Sequence, residues 1–210
     1  MPDGAPTSRH VWTPRDISDT SGPGALLRAY LEQRDLRRCL RKVTEDRPLA
    51  SACDVGCGYG RLTPVLTEFA PRVVGFEREP RLVAQARHLQ PEVEFAAVDS
   101  LSHLPAAGGE FGFAMTFTVL QHLGDREARA AAEELERIAA GGFVLLVEET
   151  DAALRDGDPK RPGAGLTVGR PLEAYADWMR PWTLCESVPR RIEPGYARAD
   201  VGTFMLFRAR

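Results

Sequence analysis

The stretch from Leu49 to Leu66 constrains this chain more than any other; it reads Leu-Ala-Ser-Ala-Cys-Asp-Val-Gly-Cys-Gly-Tyr-Gly-Arg-Leu-Thr-Pro-Val-Leu. A run of small and apolar residues closes at Asp54 and Val55. Gly56, Gly58 and Gly60 then alternate with side-chain-bearing residues, and apolar spacing resumes at Leu62, Val65 and Leu66. That order predicts a buried strand, a tight turn and the start of a helix. Glycine suits such a turn because some positions demand positive φ and because a ligand can approach the main chain with no Cβ in its way. The helix behind the turn is expected to present unpaired N–H groups and a positive dipole end. Such a unit receives a nucleotide-like cofactor at the mouth of a parallel sheet. A glycine-rich turn alone fits an ordinary tight turn equally well, so the second half of the unit has to decide.

That half is Arg72-Val-Val-Gly-Phe-Glu77, a second predicted strand that ends in an acid about twenty residues beyond Gly56. An acid at that distance and place is where a ribose diol would be held, whereas a solvated loop acid needs no such spacing. Asp-Val-Gly-Cys-Gly-Tyr-Gly, followed by Gly75 to Arg87 (Gly-Phe-Glu-Arg-Glu-Pro-Arg-Leu-Val-Ala-Gln-Ala-Arg), resembles the class I S-adenosylmethionine-dependent methyltransferases, in particular those acting on small molecules. Their signature is an acid before G-x-G-x-G and a second acid at the next strand's end. Gly60 comes one residue earlier than the third glycine of the G-x-G-x-x-G dinucleotide motif, which argues against a nicotinamide cofactor.

The 210 residues suffice for one sizeable domain but not for a cofactor domain plus a separate substrate domain. A formal charge of −3 gives no basic excess of the kind nucleic-acid binding requires, so no nucleic-acid partner is expected. Met1 to Thr20 lacks the pattern of a signal peptide, and no apolar run reaches membrane-spanning length; no membrane association and a cytoplasmic location are the resulting expectations. Cys39, Cys53, Cys57 and Cys185 show no paired zinc-site spacing, so no metal is expected and the thiols read as small, buried and reduced.

Residues 1–23 read as a flexible leader that doubles as a lid in families of this kind, with Trp12 either a lid residue or a surface-docked aromatic. Residues 24–210 read as a single domain with its core at 46–150. Gly24 to Glu45 has apolar recurrence at three and four residues, predicting one amphipathic helix or two short ones, with a basic cluster that reads as a solvated face. Further strands are predicted at Glu92–Val98, Phe111–Phe117, Phe143–Val147, Trp182–Val188 and Thr203–Phe207. Helices are predicted from Pro80, from a cap at Asp125 to Gly141, and around Leu172–Met179. Residues 151–170 lack an apolar period and read as a mobile loop or lid. Alternating strand and helix imply helices on both faces of a mainly parallel sheet. The resemblance implies a Rossmann-like class I methyltransferase fold, seven-stranded, in the order 3-2-1-4-5-7-6 with the seventh strand antiparallel.

The resemblance further implies S-adenosyl-L-methionine as cofactor, S-adenosyl-L-homocysteine as product and a small-molecule substrate. Asp54, Gly56, Cys57, Gly58 and Gly60 would face the methionine portion, Glu77 the ribose, Arg78 the adenine face, Asp99 and Ser100 the adenine edge, and the main chain of Thr116 and Phe117 the amino group. An Asx-type turn is the competing reading of Asp99. His122, after the fourth strand, is either a general base for an oxygen or nitrogen nucleophile or a packed histidine bonded to a neighbouring carbonyl. Glu148 and Glu149 either meet a substrate or are solvated strand-end charges; Trp12 and Tyr30 are further candidates for the substrate wall. Two other uses of such a site stay open: a different reaction of the same cofactor (cyclisation, cleavage or support of a substrate rearrangement) and binding without turnover.

Overall fold

The computed structural model describes residues 23–45, 47–153, 167–190 and 202–210. Trp12 and most of the predicted lid at 151–170 lie outside the described residues. The elements are α1 (Pro23–Thr44), β1 (Ser51–Val55), α2 (Thr63–Thr67), β2 (Arg72–Glu77), α3 (Pro80–Leu89), β3 (Glu94–Ala97) and β4 (Phe113–Phe117). They continue with a 3-10 turn (Leu120–His122), α4 (Asp125–Ile138), β5 (Phe143–Glu148), α5 (Leu172–Trp178), β6 (Thr183–Pro189) and β7 (Thr203–Arg208).

The strands form one sheet in the order β3-β2-β1-β4-β5-β7-β6. β1 runs parallel to β2 and β4, β2 to β3, and β4 to β5, while β7 is antiparallel to β5 and β6. This is the implied Rossmann-like architecture, and it brings the carboxyl ends of β1, β2, β3, β4 and β5 to one edge, where ligands of open α/β sheets bind. Alternation along the strands divides the core in two. Ala52, Phe113, Met115, Leu145 and Leu206 pack with Leu36 and Leu40 of α1, Val65 and Leu66 of α2 and Val83 and Ala86 of α3. Cys53, Val55, Ala114, Val144, Leu146 and Met205 pack with Ala128, Ala132, Leu135 and Ile138 of α4 and Tyr175 of α5. Period two in the strands and period 3.6 in the helices thus put α1–α3 on one face and α4–α5 on the other.

Several local expectations are corrected. The predicted helix over 24–45 is single. Its basic face is largely solvent-exposed, as expected, while Arg37 also pairs with Glu68, and Arg38 and Lys42 with Glu186. Asp125 is not the cap of α4; Gly124 holds that place with extended backbone and no side-chain bond, and Asp125 accepts instead from Arg170 at 2.9 Å. Cys39, Cys53 and Cys57 are buried, and burial pushes the Cys39 thiol up to about 11, but Cys185 is exposed. Among the described residues no helix is long and apolar enough to cross a membrane.

Candidate functional site

The glycine-rich turn has positive φ at all three alternating glycines, 76° at Gly56, 60° at Gly58 and 80° at Gly60. The reason for glycine differs in part from the expected one. A Cβ at Gly56 would lie 2.6 Å from the Val119 side chain, and one at Gly60 would lie 2.7 Å from Gln90 Nε2 and 2.9 Å from the Phe95 ring. At these two positions the missing side chain makes room for the chain itself. The helix terminus also contributes less than expected. α2 begins at Thr63, beyond the turn, and is one short segment with Pro64 in its first turn. The N–H groups of Gly56 and Cys57 both donate to Phe76 O, at 2.7 and 3.1 Å.

Glu77, at the end of β2, faces this turn. Its Oε2 accepts from Gly58 N at 3.0 Å and its Oε1 from Glu79 N at 2.9 Å. Two main-chain donors therefore hold the carboxylate plane in place, while each oxygen retains a further lone-pair direction for a diol. The acid and the turn thus meet, as their spacing in the sequence predicts. β3 ends beside it, because Val98 N donates to Glu77 O at 2.9 Å. There Asp99 is exposed, and the side-chain bond within the turn comes from Ser100, whose Oγ accepts from Ser102 N at 3.1 Å.

Asp54, one strand over, is buried, and its Oδ2 accepts from Thr63 Oγ1 at 2.7 Å. Burial pushes its carboxyl up to about 7; the Thr63 bond and the Arg61 guanidinium oppose that shift, and Glu77 adds to it. Arg61 is itself paired with Glu32 of α1, and Arg190, at the end of β6, pairs with the same carboxylate. Both guanidiniums lie over the Phe117 ring, with Cζ 5.8 Å (Arg61) and 5.4 Å (Arg190) from its centroid. Sequence reasoning missed Glu32, Arg61 and Arg190 as a group. The adjacency of Arg61 to Gly60 was its one available signal.

Beyond β4 the chain turns sharply at Thr118, which has φ 57°, uncommon for a β-branched residue. The turn leads into Leu120–His122. Glu148, fully buried at the end of β5, lies under it: Oε1 accepts from Val119 N and Oε2 from Gln121 N, each at 3.1 Å. Burial holds the Glu148 carboxyl above the usual range, and the main-chain donors oppose that. Glu148 is therefore not the solvated strand-end charge that was one reading of the sequence, and each of its oxygens takes a main-chain donor. Glu149 is likewise buried, its Oε1 accepting from Asp151 N at 3.1 Å. His122 is half-buried, with Nδ1 3.5 Å from Thr167 Oγ1 and Nε2 3.4 Å from Gln121 Nε2. Neighbouring side-chain groups thus flank both ring nitrogens.

Other predicted positions are placed as follows. Cys57 is buried in the turn, its thiol pushed well up by desolvation. Thr116 and Phe117 end β4 next to β1 and β5, with Phe117 edge-on to Phe204 at 5.7 Å. Arg78 is drawn to Glu127 of α4, which gives the guanidinium a protein partner that sequence did not suggest. Tyr30 is 63% exposed on α1.

Residues 52–142 match the family model described as a methyltransferase domain. Over 123 residues the chain is 34% identical to the trans-aconitate 2-methyltransferase of Azoarcus sp. (strain BH72), an alignment covering 56% of this chain and 47% of that protein. Over 149 residues it is 28% identical to the tRNA (carboxymethyluridine(34)-5-O)-methyltransferase of Schizosaccharomyces pombe, covering 67% of this chain and 58% of that protein. The chain thus spans about half the length of these curated relatives. The N-methyltransferase NodS of Bradyrhizobium japonicum, solved with S-adenosyl-L-homocysteine, superposes with a TM-score of 0.66 at 20% identity, over 90% of this chain and 89% of that one.

Proposed function

We propose that this chain, whose residues 52–142 match a methyltransferase-domain model, is a class I S-adenosylmethionine-dependent methyltransferase that moves a methyl group to an oxygen or nitrogen nucleophile of a small molecule. The observation that carries this reading is Glu77, held toward the glycine-rich turn by Gly58 N at the carboxyl edge of the parallel strands. When bound, the cofactor supplies an activated methyl on a sulfonium, so the protein's part is orientation. Glu77 would hold the ribose hydroxyls, Asp99 and Ser100 the adenine edge, and Asp54 with the turn the cationic methionine end. Thr116 and Phe117 would offer main-chain acceptors to its amino group. Holding nucleophile and methyl in line can supply roughly 7 to 11 kcal/mol of barrier reduction in well-oriented cases. Few reactive side chains are then needed.

His122 is the general base in this reading. It sits on the turn that Glu148 supports, beside the end of β4, and a neutral imidazole accepts a proton near neutral pH. A small molecule is favoured over tRNA because the formal charge is −3, without the basic excess that phosphate backbones demand.

The direct test is incubation with the cofactor, alone and with candidate acceptors. Release of S-adenosylhomocysteine only when an acceptor is present is the expected result. Methylthioadenosine formed from the cofactor alone would instead mark a cleavage reaction. Glu77→Ala should weaken cofactor binding about tenfold or more by calorimetry, the scale of one charge-assisted hydrogen bond; an unchanged dissociation constant would remove the assigned ribose contact.

A further inference from the structure

We infer that Arg61 and Arg190, stacked together on Phe117, receive a carboxylate of the acceptor, so that the methylated small molecule is an organic acid. This rests on the methyl-transfer reading above and goes beyond it in naming the acceptor's class.

The two guanidiniums are largely withdrawn from water, with side-chain exposures of 15% for Arg61 and 12% for Arg190, and both pair with the 3% exposed carboxylate of Glu32. Among the described residues the Nε of each arginine is buried with no hydrogen-bond partner. Two buried cations facing one carboxylate are undercompensated, and burying charge without compensation is costly. Asp54 is the other acid acting on Arg61, but burial pushes its carboxyl up to about 7, so it is only part of a countercharge at neutral pH. A further anion offsets the excess.

The geometry selects the kind of anion. Guanidinium forks match planar carboxylates through paired N–H···O bonds, and both guanidiniums lie within cation–π reach of the Phe117 ring. Glu32 already demonstrates that a carboxylate fits between them. An incoming acid takes N–H groups that Glu32 does not use, the two Nε among them. Placement is the second argument: Arg61 directly follows Gly60, and Phe117 closes β4, so the pair stands at the carboxyl edge of the sheet where the reacting molecules meet.

The test uses the full chain saturated with S-adenosylhomocysteine. Calorimetric titrations compare mono-, di- and tricarboxylic acids, trans-aconitate among them, with their uncharged amides. One or more acids should bind, with the matching amides at least about tenfold weaker. Arg190→Gln and Arg61→Gln should each cost about 10- to 100-fold in acid affinity, the scale of lost charge-assisted bonds. Arg190→Lys, which keeps the charge but loses the fork, should fall between. S-adenosylhomocysteine affinity should stay within about twofold in both Arg190 variants, which also reports that they are folded. If no acid binds, if amides bind equally well, or if the variants bind acids normally, the pair is an internal strap and the inference fails. Lost S-adenosylhomocysteine affinity with acid binding intact would assign the pair to the cofactor and overturn it as well. Failure of the wild-type chain to bind S-adenosylhomocysteine at all is a different result, since it removes the methyltransferase reading itself.

Discussion

Burial gives Asp54 a carboxyl that titrates at about 7 rather than near 3.8, and this has a sign that can be followed. The folded-state value is raised, so the contribution of Asp54 to stability is complete below the unfolded value and is lost as pH rises through about 7. Binding runs the opposite way. A cationic ligand beside Asp54 favours the ionised form, so affinity for S-adenosylmethionine should rise from about pH 6 to about pH 8. Calorimetry across that range should show the rise in the wild type and a flat profile in Asp54→Asn; equal slopes in both would place the cation elsewhere. His122 answers to another measurement. As a base, its replacement by alanine should lower turnover about 10²- to 10⁴-fold while leaving cofactor affinity nearly unchanged. Near-normal turnover would reduce it to a packed side chain between Gln121 and Thr167.

The element that positions His122 is assembled from four pieces of chain that are distant in sequence. Glu148 of β5 holds the N–H groups of Val119 and Gln121 from below. Arg170, buried just before α5, closes the same turn from the other side, donating to Leu120 O at 2.9 Å, to Leu123 O at 2.6 Å and to Asp125 at the start of α4. Its guanidinium lies 5.4 Å from the Trp178 ring centroid, and Val168 N donates to Gln121 O at 2.7 Å. Removing this side chain strands the Leu123 carbonyl and leaves Leu120 O with Leu123 N alone. Arg170→Ala should therefore cost about 1 to 3 kcal/mol in urea denaturation, the scale of one buried group left unpaired. A loss near zero would mean that water replaces the guanidinium without cost. The element also explains why the acids at the end of β5 do not behave as solvated charges: a 3-10 turn leaves main-chain donors unused, and a buried carboxylate is the acceptor that fits beneath them.

Across the whole molecule, the sheet order depends on close approaches that no local pattern announces. Gly142 lies against the Gly112 main chain, where an added Cβ would sit 2.3 Å from the Gly112 oxygen, so β4 and β5 start in register only because Gly142 lacks a side chain. The strands, the helical stripes and the pairing of the glycine-rich turn with Glu77 were legible in advance. Each rests on periodicity or on spacing within one strand–helix–strand unit, and such local regularities are set by backbone geometry. The shortness of α2, the cap of α4, the engagement of Arg78 by Glu127 and the use of Glu148 were not legible, because each depends on which group burial brings within reach. The cluster on Phe117 is the clearest case: Glu32 stands 29 residues from Arg61 and 158 from Arg190. The chain's own order of residues determined a parallel sheet with a glycine-rich turn and the acid that faces it. Only folding decided which distant charges share one desolvated space, because the strength of a charge pair is set by the water removed around it, and that is a property of the packed molecule.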